Sequence, residues 1–188
     1  MDIHLLRHTR TLVPAGICYG RTDVELPEDW VRSAAPIVAR LPVAVRASAT
    51  VYSSPLSRCA RMAALLERKT RSDNRLAELD FGDWEMRAWR DLPRAQIEAW
   101  NADLLDAVPY GGESVRAMYA RSAELLDELC ASGAQHVVAF SHGGPIRCMI
   151  AHALGVSPAH IMRLHLDFGA ASLLRRAGGV WKLVYLNR

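Results

Sequence analysis

Arg7-His8-Thr9-Arg10 sets an imidazole between two guanidinium groups directly after the apolar pair Leu5-Leu6. A second run, Ser53-Ser54-Pro55-Leu56-Ser57-Arg58-Cys59, adds another arginine, and Ser141-His142-Gly143-Gly144 adds another histidine. A lone His or Arg of this kind is more often a hydrogen-bonded structural residue or a surface charge. Several of them brought into one cleft would match the charge and oxygen geometry of a phosphate, which arginine grips in a bidentate manner.

The elements around these residues favour such convergence. Residues 2–7, 49–54 and 136–141 read as short strands, and each runs directly into one of the three chemical stretches. Between them, Glu28 to Leu41 carries apolar residues at helical spacing, and Pro55 sits as at the first turn of a helix reaching about Lys69. Ser114 is placed to cap a further helix, and Gly143-Gly144-Pro145 opens another that runs through Gly155. The tail alternates again in ASLLRR and WKLVYL, while 11–27 reads as a long loop and 84–110, with Trp84, Trp89 and Trp100, as a helical insertion. Strands alternating with helices imply an α/β fold, a three-layer α/β/α sandwich with a mostly parallel central sheet. Ligands in such sheets bind outside the carboxyl ends of the strands, which is where Arg7-His8, Arg58 and His142 fall.

Composition bounds the rest. A chain of 188 residues, 51% apolar and 23% charged, suffices for one domain (1–188) with a full core. No apolar run is long enough to span a membrane, and the first residues carry no secretory pattern, so a cytoplasmic protein is expected. The net charge of +3, spread along the chain, gives no support to nucleic-acid binding. Cys18, Cys59, Cys130 and Cys148 stand far apart without a CxxC pair and read as reduced thiols. Cys148 and His152, four apart on a helix, could face a metal together, but two ligands without a further pair point to core packing.

Other chemistries fail on order and spacing. Ala139-Phe140-Ser141-His142-Gly143 is similar to a serine nucleophile elbow, but after Ser141 the first carboxylate is Asp167 and no histidine follows it. A cysteine nucleophile of the phosphatase type needs an arginine six positions on, where this chain has Val24, Leu65, His136 and Leu154.

Taken together, Arg7-His8-Thr9, SSPLSRC, ELDFGDWE with Glu78, GGES at 111–114 and SHGG resemble, in order and spacing, the motifs of the histidine phosphatase superfamily, which includes the cofactor-dependent phosphoglycerate mutases. The resemblance spans nearly the whole chain. It implies a phosphoglycerate mutase-like fold and phosphomonoester hydrolysis through phosphohistidine, without metal or cofactor. His8 would be the nucleophile, Arg7, Arg58 and His142 would bind phosphoryl oxygens, Glu78 would protonate the leaving group, and the Gly143 N–H would add a contact. The neighbouring arginines would keep His8 neutral and offset charge on the transferring group. A module that binds phosphate ligands without turnover is disfavoured, because all five chemical positions are present.

The loop GICYGRTDVEL (16–26) further resembles the segment after the nucleophile in bacterial α-ribazole phosphatases, which would bring Tyr19, Gly20 and Arg21 near the substrate. Between Trp84 and Gly111 no adjacent basic pair of the mutase kind occurs, so hydrolysis is preferred to mutase transfer, with a broad phosphomonoesterase as alternative. The expected partner is thus a small phosphomonoester; a homodimer is compatible with the sequence. Three departures from the superfamily pattern stand out. Thr9 replaces the usual Gly, Met86 replaces the Gly of a usual WEG, and Pro14 replaces an Asn that contacts phosphate, a contact that Arg10 or Thr9 would have to supply. Glu85, beside Met86, is the less favoured candidate for the acid. A β-branched residue tolerates positive φ poorly, so Thr9 is expected at negative φ, its hydroxyl either on the phosphate or tied to the neighbouring loop.

Overall fold

A computed structural model describes residues 1–188. The alternating apolar stretches form six strands: β1 (Asp2–Arg7), β2 (Thr50–Ser53), β3 (Thr70–Ser72), β4 (His136–Ser141), β5 (Ala171–Ala177) and β6 (Val180–Tyr185). They assemble into one sheet in the order β3-β2-β4-β1-β5-β6, parallel among the first four and antiparallel where β5 joins β1 and β6 joins β5. The mostly parallel α/β architecture is therefore as expected.

Period-two alternation divides the strands between two faces. Ile3, Leu5, Val137 and Ala139 enter the core beneath α5 (Val115–Ala131) and α6 (Gly143–Leu154). Leu6, Val51, Val138 and Phe140 enter the opposite core, covered by α1 (Trp30–Ala39), α2 (Val43–Ser48) and α3 (Ser57–Ala64). Ser114 caps α5 as predicted, its Oγ accepting from the Ala117 N–H at 3.1 Å.

Two boundaries differ from expectation. The helix after Pro55 stops at Ala64 rather than near Lys69; the chain turns through Glu67, at φ 51°, and continues as β3. Three residues are too few to show alternation, and β3 exists because Val51, Tyr52 and Ser53 pair with it. The stretch read as one helix over 28–41 is α1, which ends at Ala39 ahead of Pro42 and the separate α2. Within 84–110 regular α-helix is confined to α4 (Arg94–Ala102), with a single helical turn at Trp89–Asp91 and another, Gly82–Trp84, leading into the segment. Packing there is aromatic: Trp84, Tyr110, Leu92 and Cys18 are buried, with Phe81, Trp89 and Trp100 against them.

Candidate active site

Strand register brings the chemical residues together. Arg7 at the end of β1 lies opposite Ser141 at the end of β4, and Ser53 at the end of β2 lies opposite Phe140. The next residue along each strand is therefore His8, His142 and Ser54, with His142 between the other two. Ladder-like bonds extend past the strand ends, from the His8 N–H to the Ser141 carbonyl at 3.1 Å and from the Ser54 N–H to the Phe140 carbonyl at 2.9 Å.

His8 is 2% exposed and its ring centroid lies 5.0 Å from that of His142 and 5.4 Å from that of Phe168. Its Nδ1 stands 2.7 Å from the carbonyl oxygen of Thr9. A carbonyl can only accept, so Nδ1 carries the proton and a neutral ring presents its lone pair at Nε2. Neutrality is enforced. Burial first and Arg58 second pull the His8 pKa down to about 3, against the opposing pull of the Thr9 carbonyl, with Arg7 adding a smaller push downward. The arginines act in the expected direction, but burial is the larger cause.

Arg58 is fully buried and its fork is fixed on three acceptors: Nε donates to His142 Nδ1 at 3.3 Å, one terminal nitrogen to the Thr22 carbonyl at 2.8 Å and the other to the Gly20 carbonyl at 2.6 Å. With its Nδ1 accepting, His142 carries its proton on Nε2, 2.8 Å from Ser54 Oγ. Complete burial and the adjacent His8, Arg58 and Arg7 hold His142 well below the ordinary imidazole range. Cys59 Sγ lies 3.4 Å from the same Nε2, and burial pushes its thiol far up, so it stays protonated.

Arg7 donates to the Leu166 carbonyl at 2.6 Å and lays its guanidinium 3.9 Å from the centroid of the Phe168 ring, a cation–π contact. Its Nε is buried without a partner. Glu78 stands at the N-terminus of α6, accepting from the Gly144 N–H at 3.1 Å and the Leu79 N–H at 3.0 Å. A Cβ at Gly144 would overlap Glu78 Oε1, so this approach requires glycine. Gly143, the first residue of α6, packs beside Arg7, whose Cζ would lie 3.5 Å from a Cβ there.

Thr9 is absent from the non-glycine residues at positive φ, which are Glu67, Met86 and Asn187. Its buried hydroxyl has no hydrogen-bond partner, so it is not tied to the neighbouring loop. Arg10 is exposed, 5.6 Å from the Phe168 ring centroid.

Beside Arg7, Glu78 and Gly144 opens a cavity of about 280 Å³. Tyr19 and Gly20 line it, with Phe81, Trp89, Trp100 and Phe168 supplying aromatic wall. Arg21 does not line it: its Nε donates to the Glu78 carbonyl at 3.1 Å and a terminal nitrogen to Glu113 at 3.1 Å. Elsewhere, Cys148 is packed in the core and His152 pairs with Asp127 at 3.0 Å.

Four contributors escaped the sequence reading. Gly144 and Arg147, the latter a second guanidinium on the cavity wall, follow His142 within the first turns of α6 and share its signal. Phe168 lies in an irregular segment and carries no signal of its own; it arrives because the Gly169 N–H bonds the His8 carbonyl at 2.9 Å. Glu85, in the sequence only a less favoured acid, instead accepts from the Arg21 and Thr22 N–H groups.

The profile of the Histidine phosphatase superfamily (branch 1) matches residues 3–188. The chain belongs to this superfamily. An adenosylcobalamin/alpha-ribazole phosphatase of Salmonella typhimurium is 32% identical over 196 residues, covering 100% of this chain and 96% of the relative. A glucosyl-3-phosphoglycerate phosphatase of Mycobacterium tuberculosis is 34% identical over 174 residues, covering 83% of this chain and 76% of the relative. The crystal structure of the alpha-ribazole phosphatase from Shigella flexneri superposes with a TM-score of 0.88 at 26% identity, covering 100% of this chain and 96% of that one. This histidine phosphatase is thus a phosphatase enzyme in fold and family, and no helix in it is long and apolar enough to cross a membrane.

Proposed function

We propose that the enzyme hydrolyses α-ribazole 5′-phosphate through a phosphohistidine on His8. The observation that carries the chemistry is the His8 ring, neutral, with Nδ1–H anchored on the Thr9 carbonyl and Nε2 free to attack. Nε2 attacks phosphorus, the ester P–O bond breaks, and Glu78 passes a proton to the departing alkoxide. Water then attacks the phosphohistidine, giving its proton back to the Glu78 carboxylate, the P–N bond breaks, and inorganic phosphate leaves. Arg7 and Arg58 hold the phosphoryl oxygens throughout, the unpartnered Arg7 Nε having a donor to give; His142 joins them only by turning its Nε2–H from Ser54 Oγ to the phosphoryl group.

The leaving group is argued from the cavity. Its wall is mostly apolar and aromatic, a surface suited to the dimethylbenzimidazole of α-ribazole. The Salmonella and Shigella relatives carry that activity in their names. A second reading, a phosphorylated sugar acid, is favoured by Arg147, which lines the same cavity and could pair with a carboxylate. On either reading the partner is a small phosphomonoester.

Phosphate release from α-ribazole 5′-phosphate, 3-phosphoglycerate and p-nitrophenyl phosphate tests both. The expected kcat/KM for α-ribazole 5′-phosphate exceeds that for 3-phosphoglycerate by about a hundredfold, as when a site matched to one group meets another, and His8→Ala releases nothing. Equal or better turnover of 3-phosphoglycerate selects the second reading. No release by the wild-type enzyme from any of the three defeats both.

A further inference from the structure

Glu85 does not line the cavity and touches none of the groups assigned to chemistry, yet its carboxylate is among the most heavily bonded in the molecule. Oε1 accepts from the Arg21 N–H at 2.7 Å and the Phe81 N–H at 3.0 Å. Oε2 accepts from the Thr22 N–H at 2.6 Å and from the Thr22 hydroxyl. All four bonds serve to fasten the loop 20–22 to the segment around Phe81. A Cβ at Gly20 would overlap both Glu85 Oε1 and the Leu79 carbonyl, so the loop reaches this position only with glycine there.

That loop holds Arg58. The carbonyls of Gly20 and Thr22, on either side of Arg21, are the two acceptors for the terminal nitrogens of the Arg58 guanidinium. A guanidinium has five N–H donors. Three are spent, on these carbonyls and His142, which leaves one on each terminal nitrogen for a ligand. Where those two point depends on where the carbonyls sit, and the carbonyls sit where Glu85 holds them.

We propose that Glu85 is a positioning residue that acts through the loop 20–22 to aim the two remaining Arg58 donors at the transferring phosphoryl group. It rests on the phosphatase reading only in giving Arg58 phosphoryl oxygens to hold. Glutamate is required for its charge and its two acceptors. In Glu85→Gln one oxygen becomes an NH₂ group facing backbone N–H groups, so at least one edge of the loop loses its anchor at nearly constant volume.

The test is a double-mutant cycle read by affinity for orthovanadate, a mimic of the transferring phosphoryl group, followed by tryptophan fluorescence and paired with thermal unfolding. Glu85→Gln is expected to weaken vanadate binding by on the order of tenfold, the scale of a lost hydrogen bond to a charged group. In an Arg58→Lys background, where the fork is already gone, the same substitution should cost less than about twofold, the signature of two residues acting in one chain. Thr22→Val removes only the hydroxyl bond to Glu85 and should weaken binding in the same direction by about threefold, again only when Arg58 is present; it decides the matter if Glu85→Gln does not fold. Equal losses in both backgrounds, or unchanged vanadate affinity in a folded Glu85→Gln protein, overturn the proposal. Because binding is read without turnover, an enzyme that binds vanadate in this pattern but releases no phosphate would overturn the hydrolytic reading and leave this one standing.

Discussion

The strand-end cluster and the wall of the adjoining cavity are built by opposite means. Around His8, His142 and Arg58 the side chains are buried polar groups held by hydrogen bonds, most of them to backbone carbonyls. Around Phe81, Trp89 and Trp100 of the wall, and Trp84 and Tyr110 behind them, the contacts are ring on ring, with centroids 4.7–6.5 Å apart, from Trp84–Tyr110 at 4.7 Å to Phe81–Trp84 at 6.5 Å.

 Hydrogen bonds fix direction, which phosphoryl transfer needs; ring packing fixes shape and exclusion of water, which choice of leaving group needs. The molecule thus separates reaction from selection, and substitutions should separate them too.

The sharpest break is expected from Arg58→Ala, which removes a phosphoryl donor and leaves the Gly20 and Thr22 carbonyls and His142 Nδ1 without their donor in a buried place. Turnover of p-nitrophenyl phosphate should fall by about 10³-fold, the upper range for one lost oxyanion donor, and urea unfolding should show about 3 kcal/mol less stability. Next comes pH. With the His8 pKa at about 3 in the fold against an ordinary 6.5, its contribution to stability is complete above pH 6.5 and lost as pH falls toward 3. Wild type should therefore lose stability over that window more steeply than His8→Asn, and imidazole ¹⁵N spectra at pH 5 should show a neutral ring protonated on Nδ1. A charged His8 at pH 5 would undo the distinction between a buried reaction centre and an open cavity.

Smaller effects are expected on the cavity side. Trp89→Ala should lower kcat/KM for α-ribazole 5′-phosphate by about tenfold while leaving that for methyl phosphate unchanged, the difference a lost apolar contact makes. A parallel loss on both substrates would mean that the wall serves the reaction as well. Least of all, Met86→Gly should raise stability by about 0.5–1 kcal/mol in urea, because Met86 is exposed at φ 62°, where an L side chain is strained.

The same division explains what could be read from sequence. Arg7, His8, Arg58 and His142 follow short apolar strands directly, so a period-two pattern and a residue type are enough to propose that they meet. The Ser114 cap and the parallel core were legible for the same reason, being local. Phe168 reaches His8 through a long-range backbone bond, β3 forms only by pairing with β2, and the loop 20–22 is held by Glu85 from 63 residues further on in the case of Thr22. None of these leaves a mark in the spacing of neighbouring residues. Arg21 shows the limit from the other side: a cation in a loop near the site, whose bonds go to the Glu78 carbonyl and Glu113.

The partner that sets the proton on His8 is a main-chain carbonyl, that of Thr9. Every amino acid supplies the same carbonyl, so no replacement at position 9 deletes the acceptor, and only a change of backbone path can withdraw it. Where a carboxylate orients a catalytic imidazole, one base change in a gene can destroy the arrangement; here the orienting atom is out of reach of point mutation. Drift at position 9, including the exchange of glycine for threonine, is thereby free to alter the surroundings of the phosphate while the nucleophile keeps its tautomer.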